Sequence, residues 1–440
     1  MKESQTHLKR EIGVFGLSTN IVNIMIGAGI FVLPAIVAAG LGSASIIAYL
    51  FCGFLITLVM LCFAEVGTKI TTSGGSYAYI EGAFGKYPGF LTALLFMLSS
   101  ITADGAVANA IADIIGSLFP ILATTYFKIP FFLVLFSGLA YVNIVGLKSG
   151  VGIVKSITIL KIIPLLIIVA IGFKDVEITN LYWTEIPSLK QIGEVSIILF
   201  FAFQGAETGL SISGEIKNPK KTIPAALRLG IVSVLLIYVL IQSVSLGVLG
   251  DSLSTFKENP LAEVAHRIFG PVGFMLITIG AAVSMFGNLS SEILSVPRVL
   301  FGAANDNVIP IKQLAAVHKK YATPFVAIII YAALGMFLAM AGGFKELAII
   351  SSASTLLIYL GVSLATIKLR TTKSNDLVED SFKIPGGYLI PIASCGAILW
   401  FLSNLSMHEF KSLAVYVLAF TVLYGLINFK KKYKPTEDAH

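Results

Sequence analysis

Four ionisable side chains lie deep inside strongly apolar stretches of this sequence. They are Asp104, Lys161, Glu207 and Glu292. A charged group at the depth of a lipid bilayer is destabilising by at least about 2–3 kcal/mol unless it is paired or hydrated, so each is a candidate for binding or coupling. The sequence has no His-Glu-x-x-His run, no Cys/His ligand cluster and no phosphate-binding loop. The four residues therefore favour binding or ion coupling over catalysis.

Two of the apolar stretches contain glycine where a straight helix would be weakened. Residues 25–34 read Met-Ile-Gly-Ala-Gly-Ile-Phe-Val-Leu-Pro, and residues 200–209 read Phe-Phe-Ala-Phe-Gln-Gly-Ala-Glu-Thr-Gly. Each glycine lowers helix stability by up to about 1 kcal/mol relative to alanine. Small residues also serve helix packing, which is the alternative explanation for either stretch alone. Because the stretches lie five spans apart, together they favour an inverted repeat whose discontinuous helices form a site near the bilayer midplane.

The two predicted breaks offer backbone groups that suit a zwitterion. A break at Gly27 and Gly29 would free N–H groups at the start of the second half-helix, where the positive end of the helix dipole attracts a carboxylate. Carbonyl groups at the end of the first half-helix, near Ile26, would accept hydrogen bonds from an ammonium group. The second break offers a similar set near Phe201. The common part of an amino acid then needs no charged side chain.

The elements that hold these residues are predicted to be membrane-spanning helices. Of the 440 residues, 56% are hydrophobic and only 12% are charged, whereas a soluble domain has about 25% charged residues. About twelve apolar segments approach the ~20 residues that a helix needs to cross a bilayer, and they are too continuous for barrel strands. The segments lie at 13–39, 43–67, 87–117, 130–147, 152–173, 191–213, 223–249, 270–302, 324–342, 346–368, 388–405 and 412–429. No long polar linker divides the chain, so residues 1–440 are predicted to form one membrane domain.

The basic residues are unevenly divided between the two sets of loops. If the N-terminus is cytoplasmic, 23 of the 31 Lys and Arg residues lie in cytoplasmic loops and seven lie outside. This bias predicts a multi-pass protein of the cell membrane with both termini in the cytoplasm. It also accounts for the net charge of +7 without a nucleic-acid partner.

Several short runs of the sequence match the pattern of one known family. Residues 27–31, followed by Pro34, form a small-residue break, and residues 201–207 form an aromatic–Ala–aromatic–x–Gly–x–Glu run. Similar runs stand at residues 73–77, 215–224 and 297–298. From residue 10 to about 370 the chain therefore resembles the amino acid–polyamine–organocation (APC) superfamily of permeases. The resemblance implies a LeuT-type five-plus-five inverted repeat and alternating access, with a first repeat at 13–173, a second at 191–368 and two additional helices at 388–429.

The resemblance also implies a substrate-binding set. The backbone of Gly27, Ala28 and Gly29 would hold the carboxylate of an amino acid. The residues expected to hold its amine or to flank it are Ile26, Phe201, Ala202, Phe203 and Gln204. Phe201 matches the aromatic residue that closes over bound substrate, although a packing or lipid-facing aromatic is the alternative.

The four membrane-embedded ionisable residues differ in the role that the resemblance to the APC superfamily implies for them. Lys161 resembles a lysine of sodium-independent relatives, whose ammonium occupies the place that sodium takes in related transporters. A structural tether to carbonyls of the first segment has the same geometry, and we expect both roles. Glu207 would couple substrate binding to gating. Asp104 matches no motif and is kept as a coupling candidate. Glu292 stands where relatives usually place a neutral residue facing the substrate's side chain.

A carboxylate at Glu292 would favour a cationic or polar substrate side chain, or would itself titrate. The alternative is that Glu292 points at water or at another helix. These features predict a sodium-independent secondary active amino acid transporter, either a proton-coupled symporter or an exchanger. A membrane-embedded enzyme and a channel or non-transporting sensor are the alternatives.

The predicted partners are few. They are an amino acid, the lipid bilayer and, if transport is proton-coupled, protons. Cys52, Cys62 and Cys395 lie in apolar segments and provide neither disulfide nor metal spacing. We therefore expect no metal and no cofactor. Since no cysteine outside the membrane could pair with a second subunit, we expect a monomer or homo-oligomer.

Overall fold

The computed structural model describes residues 12–70, 75–145, 151–183, 185–210, 216–305, 309, 311–371 and 381–433. These residues are mostly helical, and beyond one isolated bridge between Ile12 and Ile216 they contain no β-strand. The α-helices are α1 (Val14–Met25), α2 (Gly29–Leu41), α3 (Ser45–Lys69), α4 (Ser76–Phe84), α5 (Lys86–Leu118), α6 (Thr125–Val145), α7 (Val151–Gly172), α8 (Leu189–Leu199), α9 (Pro219–Leu249), α10 (Pro260–Asn305), α11 (Phe325–Ala341), α12 (Phe344–Thr371), α13 (Leu389–Ser403) and α14 (Met407–Tyr433). The prediction of an all-helical fold is confirmed.

The helices have the length and the surface of membrane spans. Within the described ranges, seven helical segments are long and apolar enough to cross a membrane, and α1, α11 and α13 are shorter apolar helices. Each of the twelve predicted segments contains at least one helix. Large apolar side chains such as Val415, Leu418 and Val422 of α14 are exposed on the outside of the fold. Such a surface suits contact with lipid, and the protein is a multi-pass membrane protein.

Both predicted breaks occur in the structure. The first predicted segment is interrupted at residues 26–28, between α1 and α2. The other segment leaves the α-helical path after Leu199 and continues as a short 3-10 turn, Phe200–Phe203. Residues 211–213, which were predicted to complete this segment, lie outside the described residues.

Several elements differ from the sequence-based prediction, and three of the differences have a local cause in the sequence. The helix α4 was missed because it has only nine residues and ends at Gly85, which has a φ of 92°. The helix α9 begins at Pro219, earlier than predicted, since proline has the φ that a first helical turn requires. The helix α10 extends back to Pro260 across a kink at Gly270, whose φ is 70°. The next residue, Pro271, has no N–H to continue the hydrogen-bond ladder.

The broken segments are held by the longer helices around them. The helix α1 packs against α9, and α2 packs against α8 and α10. The helix α5 packs along α12 and also contacts α10 and α11. Counterparts in the two halves of the chain contact each other, namely α3 with α9, α5 with α10 and α6 with α11. The residue limits of the two repeats stay a prediction.

Candidate functional site

The first break is a three-residue turn between α1 and α2. Ile26 follows α1 with φ −76° and ψ 84°, and α2 begins at Gly29. The Gly27 N–H donates to the Met25 carbonyl at 2.9 Å. The N–H groups in the first turn of a helix have no acceptor within that helix, and the helix dipole is positive there. A carboxylate is therefore favoured at the start of α2.

The second break depends on a glycine. Gly205 has a φ of +100°, which residues with a side chain rarely adopt. A Cβ atom at this position would also lie 2.7 Å from Cγ2 of Ile24 in the first broken segment. Gly205 is therefore required both by the backbone conformation and by the close approach of Ile24.

The two breaks are in direct contact. A Cβ atom at Gly29 would lie 2.7 Å from the Cβ and 3.0 Å from the Cα of Ala202. The hydroxyl group of Tyr238 on α9 donates towards the carbonyls of Met25 at 2.8 Å and Ala202 at 2.9 Å. Because the hydroxyl has one hydrogen, the two carbonyls share it. Tyr238 is buried, with its ring edge-on to Phe203 at a centroid distance of 5.2 Å. It is a buried link between the breaks.

Lys161 on α7 reaches the end of α1. Its Nζ donates to the carbonyl of Asn23 at 2.5 Å and to the carbonyl of Ile26 at 2.7 Å. The side chain is only 8% exposed. Oxygen atoms are also the ligands that hard metal cations take. An ammonium group therefore occupies a position where backbone oxygens from the first break converge.

Gln204 joins the second break to α12. Its Nε2 donates to Ser352 Oγ at 2.9 Å, and its Oε1 accepts from Ser351 Oγ at 3.2 Å and from Thr355 Oγ1 at 2.9 Å. Ser99 on α5 lies 2.7 Å from Thr355 Oγ1. These hydroxyl groups orient the Gln204 amide against α12.

Glu207 makes a second connection from this break to α12. One oxygen of its carboxyl group, Oε2, accepts from the Gly205 N–H at 3.1 Å and from the hydroxyl group of Tyr359. The buried Tyr359 ring lies edge-on to Phe200 at a centroid distance of 6.0 Å. A movement of the second break would therefore be transmitted to α12 through Glu207.

Asp104 and Glu292 face one cavity from α5 and α10. Asp104 is 1% exposed, and its Oδ2 accepts from the hydroxyl group of Tyr331 at 2.8 Å. Its Oδ1 is buried and has no hydrogen-bond partner among the described residues. Asp104 and Glu292 stand on helices that contact each other. Asn288, one turn before Glu292, lines the same cavity.

The cavity brings together most of the residues that were predicted from the sequence. The predicted residues that line it are Gly27, Ala28, Gly29, Asp104, Phe201, Ala202, Gln204, Glu207 and Glu292. The other three predicted residues, Ile26, Lys161 and Phe203, do not line the cavity. The Ile26 carbonyl is turned to Lys161, and Phe203 packs on Tyr238.

Sequence reasoning missed several polar residues of the cavity. They are Ser76, Ser99, Ser100, Thr208, Asn288, Thr355 and Tyr359. Asn288 could have been found, because residues four positions apart share a face of a helix and Asn288 precedes Glu292 by four. Hydroxyl residues are common in helices, and nothing in their spacing separated Ser99 or Thr355 from the rest.

Comparisons with known proteins point to one family. The sequence model described as amino acid permease matches residues 12–427. The chain is 29% identical to the serine/threonine exchanger SteT of Bacillus subtilis (strain 168) over 437 residues, which are 97% of this chain and 99% of that protein. It is 26% identical to the branched-chain amino acid permease BcaP of the same organism, over 96% of this chain and 94% of that protein. It is 30% identical to an arginine/ornithine antiporter of Pseudomonas aeruginosa, over 67% of this chain and 64% of that protein.

Proposed function

Because this chain belongs to the amino acid permease family, we propose that it carries amino acids by alternating access without sodium, and that it is not an enzyme. The chain is a secondary amino acid transporter with the LeuT-type fold of its family. The relatives include an exchanger, a permease and an antiporter by name. For this chain we propose either exchange or proton-coupled symport.

The proposal that transport does not need sodium rests on the position of the Lys161 ammonium group. It donates to the carbonyls of Asn23 and Ile26 at the unwound end of α1. Sodium would need several oxygen ligands in one small space, and an ammonium among them both fills that space and repels the ion. Lys161 would thus supply the positive charge that a sodium ion brings in other transporters.

The substrate's main chain would bind between the breaks. Its carboxylate would accept from N–H groups at the start of α2, beside Gly27 and Gly29. Its ammonium would donate to carbonyls of the second break, such as those of Phe201, Ala202 and Gln204. The Ile26 carbonyl already accepts from Lys161, but a carbonyl oxygen has two lone pairs and can accept again. Phe201, which lies edge-on to Phe344 at 5.6 Å, would cover the bound substrate.

The arrangement in the membrane follows from the charges of the loops. We propose that both termini are cytoplasmic and that the lipid bilayer is the protein's main surroundings. We further propose that it acts as a monomer or homo-oligomer and binds neither nucleic acid nor a cofactor.

Uptake of labelled amino acids into proteoliposomes tests the transport mode. Vesicles that contain unlabelled amino acid are compared with empty vesicles, and the empty vesicles are measured with and without an inward proton gradient. Exchange predicts uptake into loaded vesicles only, whereas proton symport predicts that the gradient drives uptake into empty ones. Absence of uptake in every condition, across a panel of cationic and neutral amino acids, would refute the proposal.

A further inference from the structure

We infer that Asp104 and Glu292 form a cation-binding subsite that selects amino acids with a positively charged side chain. The inference rests on the proposed function, because this subsite lies in the cavity that would hold the substrate. It adds the substrate class, which the two backbone breaks do not specify.

The first observation is the incomplete hydrogen bonding of Asp104. Its Oδ2 is held by Tyr331 at 2.8 Å, but its Oδ1 is buried and has no partner within the described part of the chain. Leaving a buried acceptor unpaired is destabilising by about 1–3 kcal/mol, and most buried polar atoms in native proteins are paired. Since Asp104 lines the cavity, a donor group of a bound molecule could complete its bonding.

The second observation is a further carboxyl group on the facing helix. Glu292 of α10 lines the same cavity, and the structure gives its side chain no hydrogen bond or ion pair with another described residue. Glu207 is a third acidic residue of the cavity, but its Oε2 accepts from two donors, the Gly205 N–H and the Tyr359 hydroxyl, and these bonds tie it to its own backbone and to α12. Asp104 and Glu292 therefore have free acceptor capacity, and they come from two helices that contact each other.

The third observation is the charge balance of the cavity wall. Among the lining residues that the structure describes, none is Lys, Arg or His. The ammonium of Lys161 is directed to the carbonyls of α1 instead. Two neighbouring carboxylates repel each other. A cation between them attracts both, and the two attractions outweigh the repulsion. The α-ammonium of the substrate is assigned above to the carbonyls of the second break, so a cation between these two carboxyl groups would come from the substrate's side chain.

An ammonium or guanidinium side chain meets these conditions. It supplies several N–H donors to two carboxyl groups, whereas a neutral side chain would leave both unpaired. A site built to bind a polar group rejects an analogue that lacks the group more strongly than an apolar pocket rejects an extra methylene. The expected substrates are therefore basic amino acids such as lysine, ornithine and arginine.

The probe pair is L-lysine and L-norleucine, which differ mainly in the terminal amine. Each competes for binding to the purified native protein, and each is supplied as labelled substrate to proteoliposomes. We expect lysine to be preferred by at least about tenfold in both measurements. Norleucine or L-serine binding as well as lysine would overturn the subsite while leaving amino acid transport intact. Absence of uptake of every amino acid would instead refute the proposed function.

Two variants that remove one negative charge each test whether Asp104 and Glu292 cause the preference for lysine. Glu292→Gln and Asp104→Asn should each reduce the ratio of lysine to norleucine binding by about tenfold, mainly by weakening lysine. The matched control is Asp113→Asn, on the same helix as Asp104, because Asp113 pairs with Lys128 at 2.5 Å and does not line the cavity. An equal loss of both ligands in Glu292→Gln and Asp104→Asn, with native thermal stability, would contradict the inference.

Discussion

The Nζ of Lys161 lies 2.7 Å from the carbonyl oxygen of Ile26, at the point where the first broken helix leaves its helical path. This contact joins α7 to the residue next to the proposed carboxylate site. It satisfies a carbonyl that the end of α1 leaves without an intrahelical partner. At the proposed site, substrate binding would therefore be connected to the position of α7 through one side chain.

Loss of the Lys161 ammonium should impair transport more than it impairs folding. Lys161→Ala removes the positive charge and the two hydrogen bonds that hold the carbonyls of Asn23 and Ile26 beside the first break. We expect the initial rate of uptake to fall by at least about tenfold and any response to a proton gradient to disappear. Lys174→Ala, at the exposed end of the same segment, is the control. Native rates in Lys161→Ala would mean that the contact is only a tether.

The two glycines of the first break should respond differently to substitution. A Cβ at Gly27 meets nothing closer than Asn288 Nδ2 at 3.9 Å, so Gly27→Val should fold normally but fill the cavity and abolish substrate binding. A Cβ at Gly29 would collide with Ala202, so Gly29→Val should lower thermal stability as well. Gly138→Val is the control, because nothing lies within 4 Å of its Cβ position. Normal binding by Gly27→Val would place the substrate elsewhere.

Tyr238 offers a test of the link between the breaks. Tyr238→Phe keeps the ring that packs on Phe203 but withdraws the hydrogen shared by the carbonyls of Met25 and Ala202. We expect a loss of about 1–3 kcal/mol in stability, because buried acceptors lose their donor. Thermal unfolding in detergent and uptake should both decline. Tyr141→Phe, at an exposed position on α6, should change neither. An unaltered Tyr238→Phe protein would show that water replaces the hydroxyl group.

The predicted orientation can be tested with single cysteines in a cysteine-free background. Cysteines at Lys257 and Glu185 should react with impermeant thiol reagents added outside the cell. Cysteines at Lys220 and Lys319 should react only after the membrane is opened. All four positions are exposed in the structure, so accessibility within the protein does not limit labelling. The reverse pattern would place the termini outside.

The general architecture could be predicted because lipid imposes strong constraints. A span needs a long apolar run, which fixed the twelve segments, and two glycine-rich interruptions in such runs located the breaks near Gly27 and Gly205. The rotation of each side chain about its helix could not be predicted in the same way. In a soluble helix, polar residues mark the outer face, but here the outer face is also apolar.

This explains why some residues in and around the cavity were misplaced or missed. Phe203 was expected in the binding set, but it faces Tyr238. Neither Tyr238 nor Thr355 belongs to a recognisable run, and their contacts come from helices distant in sequence. Asp104 matched no motif and was kept only as a coupling candidate; its place beside the cavity, with an oxygen that has no partner among the described residues, came from the structure.

The central claim is that the transporter works without sodium because Lys161 occupies the place of the ion. The most direct test is the initial rate of labelled amino acid uptake by the native protein in proteoliposomes, with external sodium replaced by equimolar choline. The internal amino acid, pH and membrane potential are kept constant. The predicted result is the same rate in both media. Uptake that requires sodium in the native protein would contradict the claim.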